Sequence, residues 1–323
     1  MIWKILKWSG IVILSLVVLV TIVVSMRQNL TYGAPYPDIK ASTDSAVIAR
    51  GRYLAYGPAH CASCHGKPGT AELVNKGVEV PLSGGNVFDL EVGKFYSGNI
   101  TPDNETGIGK LTDPEIARML RYGVRPDGTA VLPFMPFHNL TDEDLTAIIS
   151  FLRSQEPVKN KVPENDPTIL GNVVKAFLLK PTGPDGTPAK SIKQDTSAAY
   201  GKYLAMSVAN CYGCHTNRDM SGAFIGEPFA GGMKMGSEDP NYFYITPNLT
   251  PDSTGRMFGW TQDMFVKRFR TGRLFEDTHM PWGPFSRMSD DELKAIYNFL
   301  KTVKPVKNSI PVGKVSKENL AKR

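Results

Sequence analysis

Cysteine is scarce in this chain, four residues in 323, and none of the four stands alone. They fall in two runs, CASCH at residues 61–65 and CYGCH at 211–215. A disulfide inside either run would close a very small loop and stabilise little. A basic domain is missing as well. The net charge of +6 invites a nucleic-acid partner. Residues 46–156, however, carry a net −3 and residues 197–303 a net 0, which leaves +9 for the N-terminus, the linker and the C-terminal tail. Neither half has the basic surface that nucleic acid requires, so no nucleic-acid partner is expected. Charge is absent altogether from one stretch, the 19 residues 8–26, WSGIVILSLVVLVTIVVSM.

That run matches the roughly 20 apolar residues of a membrane-spanning helix. The rival is a cleaved signal peptide, whose apolar core is usually about 7–15 residues. Val23 and Ser25 offer only a poor small-x-small cleavage site, which favours an uncleaved anchor over residues 1–27. Lys4, Lys7 and the amino terminus outweigh Arg27, so the N-terminus stays in the cytoplasm and the rest of the chain lies outside.

The body is an internal repeat. Residues 49–65, ARGRYLAYGPAHCASCH, align without a gap on residues 199–215, AYGKYLAMSVANCYGCH. NITPDNETG at 99–107 then matches NLTPDSTG at 248–255, and LTDEDLTAIISFLRSQEPVKN at 140–160 matches MSDDELKAIYNFLKTVKPVKN at 288–308. The order is the same in both halves, which sets domains at 46–156 and 197–308, a linker at 157–196 and a basic tail at 309–323. Leu145, Ile148, Ile149 and Leu152, and their counterparts Leu293, Ile296, Tyr297 and Leu300, follow the period of an amphipathic helix. Thr141 with Asp144 and Ser289 with Glu292 read as capping boxes. Residues 46–56 and 197–206 read as helices despite Gly51 and Gly201, each costing about 1 kcal/mol against alanine. A close crossing with the last helix, with Phe151 and Phe299 as partners, would account for both glycines. In the linker, the apolar pairs at 169/170, 173/174 and 177/178 form one stripe on a helix too short to span a bilayer. It would pack on a domain or lie on a membrane or a partner.

Three uses of C-x-x-C-H fail on chemistry. A local disulfide gains little. A thioredoxin-like pair needs a βαβ setting that this sequence lacks. Zinc needs four ligands, and each repeat has one cysteine pair and one nearby histidine. Covalent c-type haem attachment remains: both thiols add to the haem vinyl groups and the histidine ligates the iron. This assigns two haem c groups, tethered by Cys61 and Cys64 with His65, and by Cys211 and Cys214 with His215. Methionine as sixth ligand would close the iron for electron transfer, whereas an open position would permit oxygen or peroxide chemistry. The first repeat offers Met119, in a helix-like stretch, and Met135, in LPFMPF. The second offers Met220, Met233, Met235, Met257, Met264, Met280 and Met288. Position before the terminal capping box selects Met135 and Met280, with core methionines as the alternative and His279 as the substitute for Met280. His60 and His138 are not expected to ligate. Asn99, Thr101, Asn248 and Thr250 read first as turn formers and second as haem-propionate contacts.

The order of C-x-x-C-H, NITPD…TGIG, a proline-flanked methionine and L-T/S-D-E/D-D/E-L-x-A-I resembles the cytochrome c subunits of membrane-bound periplasmic dehydrogenases of the alcohol and gluconate types. The resemblance covers both repeats. It implies an all-α fold, with two tandem class I cytochrome c domains behind the transmembrane helix. It also implies a relay of electrons from a dehydrogenase donor toward a quinone-linked complex, a soluble cytochrome or a terminal oxidase, at a bacterial inner membrane crossed once with the haem domains on the periplasmic side. A dihaem peroxidase with one open iron is the alternative function. The chain departs from that family in having two haem motifs rather than three, in placing Lys110 and Leu111 where a tryptophan, Trp260 in the second repeat, is usual, and in carrying its anchor at the N-terminus.

Overall fold

The computed structural model describes residues 1–219, 222–237, 239–275 and 278–318. Met220 and the last five residues of the basic tail lie outside them. The uncharged run forms one 26-residue helix, α1 (Ile2–Arg27), with no buried side chain. The body then folds as two successive sets of matching elements. The first holds α2 (Ser45–Tyr56), α3 (Cys61–His65), α4 (Ala71–Asn75), the hairpin β1 (Val87–Leu90) and β2 (Gly93–Tyr96), α5 (Asp113–Tyr122) and α6 (Asp142–Ser154). β3 (Asp166–Pro167) and α7 (Ile169–Phe177) follow. The second set holds α8 (Ala198–Tyr203), α9 (Cys211–His215), β4 (Lys234–Gly236), β5 (Tyr242–Ile245), α10 (Gln262–Thr271), α11 (Trp282–Phe285), α12 (Asp290–Leu300) and β6 (Lys314–Ser316).

The small sheets depart from the all-α expectation. Each hairpin recruits a third antiparallel strand from beyond the last helix of its repeat, so the sheets run β1-β2-β3 and β4-β5-β6. Residues assigned from sequence to the linker and the tail therefore complete these small sheets. The helix expected over 197–206 is α-helical over Ala198–Tyr203 and continues as a π turn over Leu204–Val208.

Helix α2 crosses α6, and α8 crosses α12. A Cβ on Gly51 would collide with the Ala147 carbonyl and lie 2.8 Å from Phe151 Cβ; one on Gly201 would collide with the Ala295 carbonyl and lie 2.8 Å from Ile296 N. The glycines thus permit the close crossing, but in the second repeat the partner is backbone rather than Phe299. Fully buried Leu54, Leu145 and Ile149, with Leu204, Leu293 and Ile296, belong to one apolar core that runs through both repeats.

The repeats also meet through a reciprocal polar contact. Tyr53 of α2 donates to Glu292 at the start of α12, and Tyr203 of α8 donates to Asp144 at the start of α6 (2.7 Å). Tyr200 adds a bond to Glu292 (3.1 Å). Arg50 lies between the two acids, 2.9 Å from Asp144 and 3.6 Å from Glu292. This explains a difference at the caps. Ser289 and Glu292 form a complete capping box. Thr141 caps the Asp144 N–H, but the Asp144 carboxylate turns to Arg50 and Tyr203 instead of closing the box.

Candidate haem-binding sites

Each C-x-x-C-H run is a single helical turn entered through a left-handed residue, His60 at φ 39° and Asn210 at φ 51°. One turn sets the two cysteines side by side and turns the histidine inward. All four thiols are free. Burial pushes the free Cys61 and Cys211 thiols up to about 12, so both are protonated in the absence of a bound group. Among the described residues no group of three or more His, Cys, Asp or Glu is arranged to hold a metal ion.

The histidine rings are held alike. His65 Nδ1 donates to the Gly98 carbonyl (2.8 Å), and His215 Nδ1 donates to the Pro247 carbonyl (3.0 Å). A carbonyl can only accept, so Nδ1 carries the proton and Nε2 presents its lone pair. No bond to Nε2 of either ring is formed among the described residues. Burial lowers both histidines from their ordinary value and keeps the rings neutral. An oriented neutral imidazole with a free Nε2, beside two unpaired thiols on the same turn, fits the attachment and proximal ligation of haem c.

Sequence reasoning missed the residues that support this geometry. Gly84 and Gly231 both adopt φ near 70°, and their N–H groups donate to the carbonyls of His65 and His215 (2.8 Å each). A Cβ at either position would strike the backbone next to Gly98 or Pro247. Asn160 holds the first glycine turn through Ser83 O (2.9 Å), and Asn308 holds the second through Ala230 O (2.8 Å). Asn86 adds bonds to Cys64 O and Gly66 O in the first repeat. A signal was present: SGGN at 83–86, AGGM at 230–233 and the repeated PVKN.

Asn99 and Asn248 are spent on the turns. Each side-chain oxygen accepts from the N–H and hydroxyl two residues on, in Thr101 and Thr250, and each amide reaches the carbonyl of Val158 or Val306. All four side chains are buried, which fits turn formation rather than a propionate contact. Met135 and Met280 are both half-buried against the apolar core that Cys61 and Cys211 also touch. Of the alternatives, Met257 and Met288 are buried in that core, and Met264 is exposed. His279 is exposed, its Nε2 2.5 Å from the Gly236 carbonyl. His60 packs edge-on against Phe285 of the other repeat.

Residues 197–300 match the family model of the cytochrome c oxidase, cbb3-type, subunit III. The cytochrome c subunit of the quinone alcohol dehydrogenase of Gluconobacter oxydans is 30% identical over 302 residues, 88% of this chain and 59% of that one. The gluconate 2-dehydrogenase cytochrome c subunit of Pantoea cypripedii is 27% identical over 80% of this chain and 60% of its own. A dihaem c-type cytochrome of Cereibacter sphaeroides is 27% identical over 75% of this chain and 81% of its own. The chain thus spans about 60% of the length of the two dehydrogenase subunits. Two thiols and a preset imidazole in each repeat agree with these matches: residues 197–300 match a c-type cytochrome family, the chain is homologous to the cytochrome c subunits of alcohol and gluconate dehydrogenases, and that family implies covalently bound haem c.

Proposed function

We propose that the protein is a membrane-anchored dihaem cytochrome that relays electrons from a periplasmic or membrane dehydrogenase toward the respiratory chain. In this reading residues 46–156 and 197–308 are tandem cytochrome c domains on the periplasmic side, and α1 is the single anchor that crosses the inner membrane. Cys61 and Cys64 tether one haem and Cys211 and Cys214 the other. His65 with Met135, and His215 with Met280, would hold the two irons. The observation that carries the proposal is the duplicate histidine geometry, one Nδ1–carbonyl bond in each repeat.

Haem c supplies a one-electron iron couple when bound. The protein's part is to orient the imidazoles, fill the sixth positions with thioether sulfur, and keep the two sites at a fixed separation. Holding both sites in one chain removes a diffusional encounter from the relay. The similarity to dehydrogenase subunits supports a dehydrogenase as donor. A quinone-linked complex, a soluble cytochrome or a terminal oxidase is the acceptor class.

The test is the mass and reactivity of the protein expressed with a haem-attachment system. The denatured chain should carry two covalent haems, and the reduced protein should bind little carbon monoxide and turn over no peroxide. A single haem would overturn the dihaem assignment. Peroxide turnover would replace the carrier with an enzyme.

A further inference from the structure

Helix α7 is pinned on three sides. Its N-terminus follows β3, which pairs with β2. Gly171 lies so close to the Val92 carbonyl that a Cβ would collide with it. Its C-terminal end is held by the membrane helix: Arg27 donates to the Ala176 carbonyl (3.2 Å) and stacks over the Phe177 ring. Tyr32, just beyond α1, donates to Leu179 O (3.0 Å). Yet its two ends remain uncovered, while Val173 and Val174 between them are partly covered. Ile169 is 87% exposed, Leu170 53% and Leu178 58%.

The depth of this face follows from α1. The uncharged run between Lys7 and Arg27 is 19 residues, about 28 Å of helix, which nearly fills a hydrocarbon core of about 30 Å. Arg27 therefore marks the headgroup level on the outer side, and α7 is bonded to Arg27. Within α1 only Val23 and Val24, in the turn before Arg27, lose part of their exposure. A cleft of about 330 Å³ opens at the same level, with Arg125 and Lys175 among its lining residues. Apolar side chains, basic groups and the exit of a spanning helix coincide there.

We propose that α7 is an interfacial helix that beds its exposed apolar residues in the outer leaflet and fixes the first repeat against the bilayer, with the cations beside it facing anionic headgroups. This rests on α1 being an anchor, and the two can fail separately. The occupant is lipid because α7 is bonded at Ala176 to Arg27, the residue at which α1 would leave the hydrocarbon.

The test uses the full-length haem-loaded protein in phosphatidylcholine–phosphatidylglycerol vesicles. Leu170→Cys, Leu178→Cys and Lys193→Cys, the last in the exposed linker, are treated with a charged, impermeant maleimide, and the parent chain gives the background. The two α7 variants should react at least about tenfold more slowly than Lys193→Cys, at every protein-to-lipid ratio. Equal rates in protein that floats with the vesicles would overturn the α7 proposal and leave the anchor standing. Protection that falls as the protein is diluted in lipid would show a second copy on this face and overturn it too. Failure of the parent chain to float would overturn the anchor and α7 together.

Discussion

Met135 sits where Pro133 and Pro136 leave the backbone little freedom, and Met280 is followed at once by Pro281 and the short turn of α11. Rigid loops of this kind suit a ligand that must stay on iron through changes of charge. If the proposed ligation holds, Met135→Ala should open one haem and leave the other untouched, because the proposed ligands lie in separate repeats, and Met280→Ala should do the converse. The opened iron should bind carbon monoxide and its potential should fall, since thioether sulfur stabilises ferrous iron. Met119→Ala should cost packing of about 2–5 kcal/mol at most and change neither spectrum. Optical titration with carbon monoxide separates these outcomes. An unchanged spectrum in Met280→Ala would move attention to His279.

Among the elements, the paired crossings of α2 with α6 and of α8 with α12 leave no room for a methyl group. Alanine at position 51 would gain about 1 kcal/mol of helix propensity, but its Cβ would meet the Ala147 carbonyl. Overpacking of this kind costs about 1–3 kcal/mol. Gly51→Ala and Gly201→Ala should therefore each lower the melting temperature, and a rise would mean that the helices can slide apart freely. These crossings were legible in the sequence, since a glycine in a helical period asks for a reason. The last helices were legible for the same periodic cause. The strands were not: β3 has two residues and β6 three, and each pairs with a hairpin about 70 residues earlier. The glycine turns behind His65 and His215 were hidden in another way. Their repeat was visible, but only the left-handed φ and the contact with Gly98 or Pro247 give it meaning.

Across the whole molecule, Arg50 stands between two buried acids, Asp144 and Glu292. Removing one partner of such a group leaves uncompensated charge and typically costs about 3–5 kcal/mol. Arg50→Ala should lower stability by that order in guanidinium unfolding and separate the repeats into two transitions, each read by the absorbance of the haem proposed for that repeat. A single unshifted transition would show that the apolar core alone joins them. No sequence pattern revealed this contact, because the residues lie 94 and 242 positions apart.

The tyrosine–carboxylate pairs have a further meaning. Tyr53 reaches from the first repeat to Glu292, and Tyr203 reaches back from the second to Asp144, at matching places in the repeat. Self-complementary exchange is the rule of an isologous dimer. Two identical single-repeat chains would make this bond twice about a two-fold axis, and a linker turns that association into an event within one chain at high effective concentration. Fusion also frees the two sides to diverge. Arg50 faces Tyr200 across the pseudo-axis, one charged and one neutral, a difference that identical subunits could not hold. If each repeat holds the haem proposed for it, the joined chain can place two otherwise similar irons in unequal fields, and an electron would find one of them lower in energy.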